Sequence, residues 1–154
     1  MTWFRGLSLV SLLALSAVTT TRAQSAADSA GIRAAAMDYI EGYYTGDAER
    51  MTRALHPELA KRIVRTDSTS HHSMIQQMSA MTLINGTRAG GGSMTPEADR
   101  RKEFRILDMY RGAAVAKIVA SSWVDYLELA KWNGEWKIVN VLWELTPQGE
   151  RPKP

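Results

Sequence analysis

The sequence predicts a single α+β domain. Its first half carries apolar residues at helical spacing, and its second half is rich in strands joined by turn residues. Strands that follow helices, rather than alternating with them, favour α+β over βαβ units. A length of 154 residues, 45% of them hydrophobic and 23% charged, leaves room for one hydrophobic core.

The first helix is expected over residues 29–45. Ile32, Ala35, Ala36, Tyr39, Ile40 and Tyr43 fall on one stripe, while Arg33 and Glu41 fall off it. Gly46 stops that helix and Asp47 can cap a second one over residues 48–55, with Met51 and Leu55 on one side. His56 precedes Pro57 and ends it, since a residue before proline avoids helical dihedrals. Residues 58–65, with Leu59, Ile63 and Val64, fit either a short helix or a helix followed by an extended segment. A helix over residues 70–84 follows from the stripe Met74, Ile75, Met78 and Met81, with Asn85-Gly86 as its stop. Residues 85–100 are glycine-rich and polar and predict a mobile loop. Three strands come next, over residues 103–110, 114–132 and 135–145. The second is long enough to require a bend or bulge near Ser121-Ser122. Asn133-Gly134 is a preferred two-residue hairpin turn.

Several function classes drop out on composition. No cysteine is present, which excludes disulfides, thiol nucleophiles and Cys-ligated metals. Residues 1–23 read as a secretory signal: Arg5 precedes an apolar run over residues 7–18, and Thr21-Arg22-Ala23 offers small residues for cleavage. The apolar run is short for a membrane span, so membrane contact is expected only through an uncleaved signal. The expected organisation is signal 1–23, domain 24–147 and a disordered tail 148–154, with export to the periplasm or medium. Arg5 and Arg22 leave with the signal, so the formal charge falls from +3 to +1. A near-neutral domain has no electrostatic footprint for nucleic acid. His71-His72 is not expected to hold a metal, because neighbouring helical side chains diverge. No G-x-S-x-G or phosphate-binding glycine loop occurs.

A two-residue turn at Asn133-Gly134 sets the expected register. Lys131 opposes Trp136, Leu129 opposes Ile138, Leu127 opposes Asn140, Asp125 opposes Leu142 and Trp123 opposes Glu144. One face then combines apolar side chains with Asp125 and Asn140, which fits a small-molecule pocket, a structural Asp–Asn hydrogen bond, or a surface pair if the faces are reversed. A single bulge between Asp125 and Trp132 would break this assignment. Asp108 and Lys117 are expected to meet across the Arg111-Gly112 turn as a solvated ion pair. His56 is expected either to cap a backbone group or to sit at the lip of a pocket, with capping favoured.

Residues 39–55 (YIEGYYTGDAERMTRAL), with His56-Pro57-Glu58-Leu59 after them, resemble the opening of nuclear-transport-factor-2-like proteins, in particular the SnoaL-like and "putative lumazine-binding" branch. The strings at 123–129 (WVDYLEL) and 131–140 (KWNGEWKIVN) strengthen the resemblance, which covers roughly residues 32–145. It implies a cystatin-like cone: a curved antiparallel sheet wrapped around N-terminal helices, enclosing a cavity. It also implies homodimers paired through the sheet, for which Trp143, Val141, Tyr126 and Val124 are the expected contact residues. The superfamily includes isomerases, cyclases, dehydratases and binding domains without catalysis. The isomerase pattern needs a tyrosine and two acids. Tyr39 or Tyr43 and Asp125 match parts of it, and no second acid does, which weighs against an enzyme. The expected function is therefore binding of a small apolar or aromatic ligand without a cofactor. Tyr39, Tyr43, Trp123, Asp125, Trp136 and Asn140 are the candidate ligand residues. An acid–base enzyme using Asp125 with Tyr39 or Tyr43, and a structural domain whose cavity is filled by its own methionines, are the alternatives.

Overall fold

The structure, a computed structural model, describes residues 11–147, with side chains from residue 26 onward. The side chains of the expected signal and the whole of the expected tail lie outside the described residues. Three helices, α1 (Ser11–Thr45), α2 (Ala48–Ala54) and α3 (Ala80–Arg88), pack with one six-stranded sheet. The strands are β1 (Leu55–Thr66), β2 (Ser73–Ser79), β3 (Lys102–Tyr110), β4 (Ala113–Ala120), β5 (Trp123–Trp132) and β6 (Glu135–Leu145). Their order is β2-β1-β6-β5-β4-β3, antiparallel throughout except that β1 runs parallel to β6. The sheet curves around the helices without closing, an α+β cone. Among the described residues, no helix is long and apolar enough to cross a membrane.

Local chemistry explains the corners. Asp47 caps α2, its Oδ1 accepting from the amides of Glu49 and Arg50 at 3.0 Å each. Asn133 and Gly134 both take positive φ, as the tight hairpin turn requires. The His56 ring nitrogen accepts from the Glu58 amide at 3.2 Å, just before β1 settles against β6.

The core lies between α1 and the concave face of the sheet. Ile32, Ala36, Tyr39, Ile40 and Tyr44 of α1 meet Leu59, Ile118, Leu127, Leu129, Ile138 and Val141. Tyr44, not Tyr43, completes the fully buried stripe. Its hydroxyl donates to the Arg101 carbonyl at 3.0 Å and accepts from the Ser121 amide at 3.0 Å, tying α1 to the β4–β5 turn.

Four expectations are corrected. Residues 58–65 belong to strand β1. Residues 73–79 are strand β2, not the start of a helix: β2 pairs residue by residue with β1, and its exposed Met74 and Ile75 mark an edge. The long strand over 114–132 is a hairpin, reversing at Ser121-Ser122 so that Ala113 pairs with Ala130. Asp108 faces Val115 and Lys117 faces Arg105, because a bulge separates Ile106 from Asp108, so the expected ion pair does not form. The glycine-rich segment is also anchored. α3 runs through Asn85-Gly86, the Gly92 amide donates to the Tyr43 carbonyl at 2.9 Å, and a Cβ on Gly92 would lie 2.5 Å from the Tyr43 ring.

Candidate functional site

One irregularity decides what faces the cavity. Leu129 pairs with Ile138, but the next pair is Glu128 with Asn140, so Val139 is an extra residue in β6. Past this bulge the inward side of β6 switches to Val141, Trp143 and Leu145, opposite Leu127, Asp125 and Trp123. Two assignments change with it. Asn140 leaves the cavity face: on the outer face it accepts from Arg62 at 2.8 Å and donates to Glu128 at 3.1 Å. Val141 and Trp143 leave the outer face, Val141 for the core and Trp143 for the cavity.

The cavity occupies about 470 Å³ between α1, α2, α3, β1, β2 and the ends of β5 and β6. Tyr43, Trp123 and Trp143 contribute aromatic surface to its walls, and Met51, Ile63, Met78, Leu83 and Leu145 contribute aliphatic surface. Tyr43 and Trp123 meet edge to face, with ring centroids 5.3 Å apart. The methionines border the space without filling it.

Behind one wall lies a buried ionic cluster. Asp125 is 0% exposed and accepts three hydrogen bonds: from Lys61 Nζ at 2.5 Å, from the Tyr39 hydroxyl at 3.1 Å and from Trp123 Nε1 at 2.7 Å. Lys61 also donates to the Tyr39 hydroxyl at 2.6 Å. The lysine ammonium stands 4.9 Å from the Trp143 ring centroid and 5.4 Å from that of Tyr39, a cation–π setting. Burial pushes the Lys61 ammonium below the ordinary lysine range, although the Asp125 carboxylate opposes that shift. Burial pushes the Tyr39 hydroxyl well above its usual value, and the charge of Asp125 adds to it. Tyr43 is raised too, by burial first and then by Tyr44 and Asp125.

Four of the six expected site residues therefore come together: Tyr39, Tyr43, Trp123 and Asp125. Trp136 faces inward but far from them, pairing with Lys131 at the other end of β5. It packs on Gly31 of α1 and donates to Asp28 at 3.2 Å. Lys61 is the residue that sequence reasoning missed. The signal was the alternation Leu59, Lys61, Ile63 and Arg65, with a cation at the second inward position of a strand. Among the described residues no group of three or more His, Cys, Asp or Glu could hold a metal ion.

Similarity to known proteins extends over nearly the whole described domain. Residues 27–144 match the family described as "putative lumazine-binding". The chain belongs to that family. Known structures that resemble this family member share its fold at low identity. A nuclear-transport-factor-2-like protein of unknown function from Silicibacter pomeroyi superposes with a TM-score of 0.62 at 13% identity, covering 79% of this chain and 98% of the other. One from Shewanella baltica gives 0.62 at 18% identity, with 80% and 97% covered. One with a cystatin-like fold from Novosphingobium aromaticivorans gives 0.59 at 12% identity, with 93% and 94% covered. No curated protein matches the sequence.

Proposed function

We propose that the protein is an exported small-molecule-binding domain whose cavity takes a compact ligand with an apolar or aromatic body. The observation that carries this reading is the open space of about 470 Å³ bordered by Tyr43, Trp123 and Trp143. That size falls in the range of small-ligand sites, about 300–1,000 Å³. Membership of a family named for lumazine binding supports ligand binding in general. The sequence features of residues 1–23 support export. Binding is favoured over catalysis because the Asp125 carboxylate is already engaged by three donors of the protein. A general base needs a lone pair directed at substrate.

A titration of the mature protein with a panel of aromatic heterocycles and apolar acids tests the reading. Micromolar affinity for at least one class is expected. Tyr43→Ala, which removes an aromatic wall, and Leu83→Trp, which adds bulk from α3, should each weaken it about tenfold or more. Unchanged affinity in both variants would place the ligand elsewhere.

The acid–base alternative keeps one specific support: Lys61, Asp125 and Tyr39 form a buried cluster with displaced pKa values at a cavity wall, a pattern enriched at active sites. Turnover of a carbonyl substrate that Lys61→Met abolishes, with the fold intact, would revive it.

A further inference from the structure

The polar groups facing the cavity are unequal in sign. Its lining includes two cations, Lys61 and Arg65, and no carboxylate. Asp125, just behind the wall, is matched to Lys61 by their ion pair. Arg65 has no acidic partner among the described residues. Its guanidinium lies 5.9 Å from the Trp143 ring centroid, so it is held over an aromatic face that cannot neutralise it. The cavity is left with one uncompensated positive charge at Arg65.

The uncommitted hydrogen-bonding groups point the same way. The Tyr43 hydroxyl makes no hydrogen bond to another described residue, and Gln76 and Ser122 also border the space. The Trp123 N–H, by contrast, is spent on Asp125. A guanidinium without a carboxylate partner beside an apolar volume calls for a ligand that accepts hydrogen bonds and carries negative charge.

We propose that the cavity selects a small organic monoanion, a carboxylate on an apolar or aromatic body, with the carboxylate on Arg65 and the body among Tyr43, Trp123 and Trp143. This assignment rests on the reading of the cavity as the ligand site and names the ligand's charge. A guanidinium recognises a carboxylate through two parallel hydrogen bonds, and an exchange for a neutral amide forfeits the charge assistance.

The test uses matched probes on the full mature protein: benzoate against benzamide, and indole-3-acetate against indole-3-acetamide, by isothermal titration. Each acid is expected to bind about tenfold or more tightly than its amide. Arg65→Met should remove that preference, bringing acid and amide affinities within about threefold of each other, and Arg65→Lys should restore part of it. The acid-to-amide ratio of the unmodified protein stands whatever the variants do to folding. Amides or neutral heterocycles that bind as well as the acids would overturn the anion assignment and leave the cavity reading standing. An acid preference that survives Arg65→Met in a folded variant would overturn the role of Arg65. If neither acids nor neutral probes bind, the cavity reading fails and this assignment fails with it.

Discussion

Replacing Asp125 with alanine would strand the Lys61 ammonium in a site where its side chain is 6% exposed. An unpaired buried charge of this kind costs about 3–5 kcal/mol, whereas removing both members of a buried pair in favour of apolar residues is often neutral or stabilising. Urea denaturation should therefore show Asp125→Ala strongly destabilised, with Lys61→Met/Asp125→Leu close to the parent. A double variant as unstable as the single one would mean that the hydrogen bonds of Tyr39 and Trp123 to Asp125, rather than the ion pair, hold the region. The same arithmetic explains what the sequence could reveal here. Asp125, Tyr39 and Trp123 were legible because each lies in an apolar pattern where a polar atom needs a partner. Lys61 was not, because lysine is almost never fully buried, and its segment read as helical at least at its start. Tyr44 was displaced by Tyr43 in the stripe reading because adjacent helical residues lie only about 100° apart. The structure gives each a separate task, Tyr44 in the core and Tyr43 at the cavity.

At the level of elements, the C-terminal end of α1, α2, the caps and the final hairpin were readable, because Gly46, Asp47, Pro57 and Asn133-Gly134 act locally; the start of α1 was not, since the helix begins at Ser11 rather than at residue 29. Strand β2 and the bulge at Val139 were not. Met74, Ile75, Met78 and Met81 fit a helical stripe by coincidence, and only pairing with β1 draws residues 73–79 into the sheet. The bulge leaves no local mark, yet it exchanges Asn140 for Trp143 at the cavity. The docking of α1 carries a prediction of its own. Asp28 accepts from Lys131 at 2.6 Å and from Trp136, contacts that hold its carboxyl below the usual aspartate value, with Lys131 the larger cause. Glu41 is lowered in the same way by Lys102 and then Arg50. A carboxylate with a depressed folded pKa contributes stability above its unfolded value, about 4, and loses it as the pH falls through the folded value. Stability should therefore drop on acidification below about pH 4, read by urea denaturation at each pH. Asp28→Asn should flatten part of that drop. An identical acid profile in the variant would remove Asp28 from the account.

For the molecule as a whole, helices followed by strands were enough to place the chain in the α+β class, and the resemblance supplied the cone. Strand number and the membership of each face needed long-range pairing. That matters most for association. Of the four residues expected at a sheet-to-sheet contact, Val141 and Trp143 face inward, leaving Tyr126 and Val124. The outer face supplies others: Leu142 is 54% exposed beside Tyr126, with which it pairs, and Val64 lies farther along β1. Arg62, Lys117, Glu128 and Glu144 surround them on the same face and provide charges of both signs. An apolar centre with a mixed-charge rim suits self-complementary contact between two copies, in which each patch meets its own equivalent. A homodimer through this face is the expected state. Native mass spectrometry of protein recovered from expressing cells should give twice the mass of a chain beginning at Gln24, which reads pairing and signal removal together. Leu142→Glu with Tyr126→Ser should give the monomer mass with ligand affinity retained, since neither side chain borders the cavity. A parent protein that is monomeric throughout would end the sheet-to-sheet proposal, and a mass that retains residues 1–23 would end the proposal of a cleaved signal.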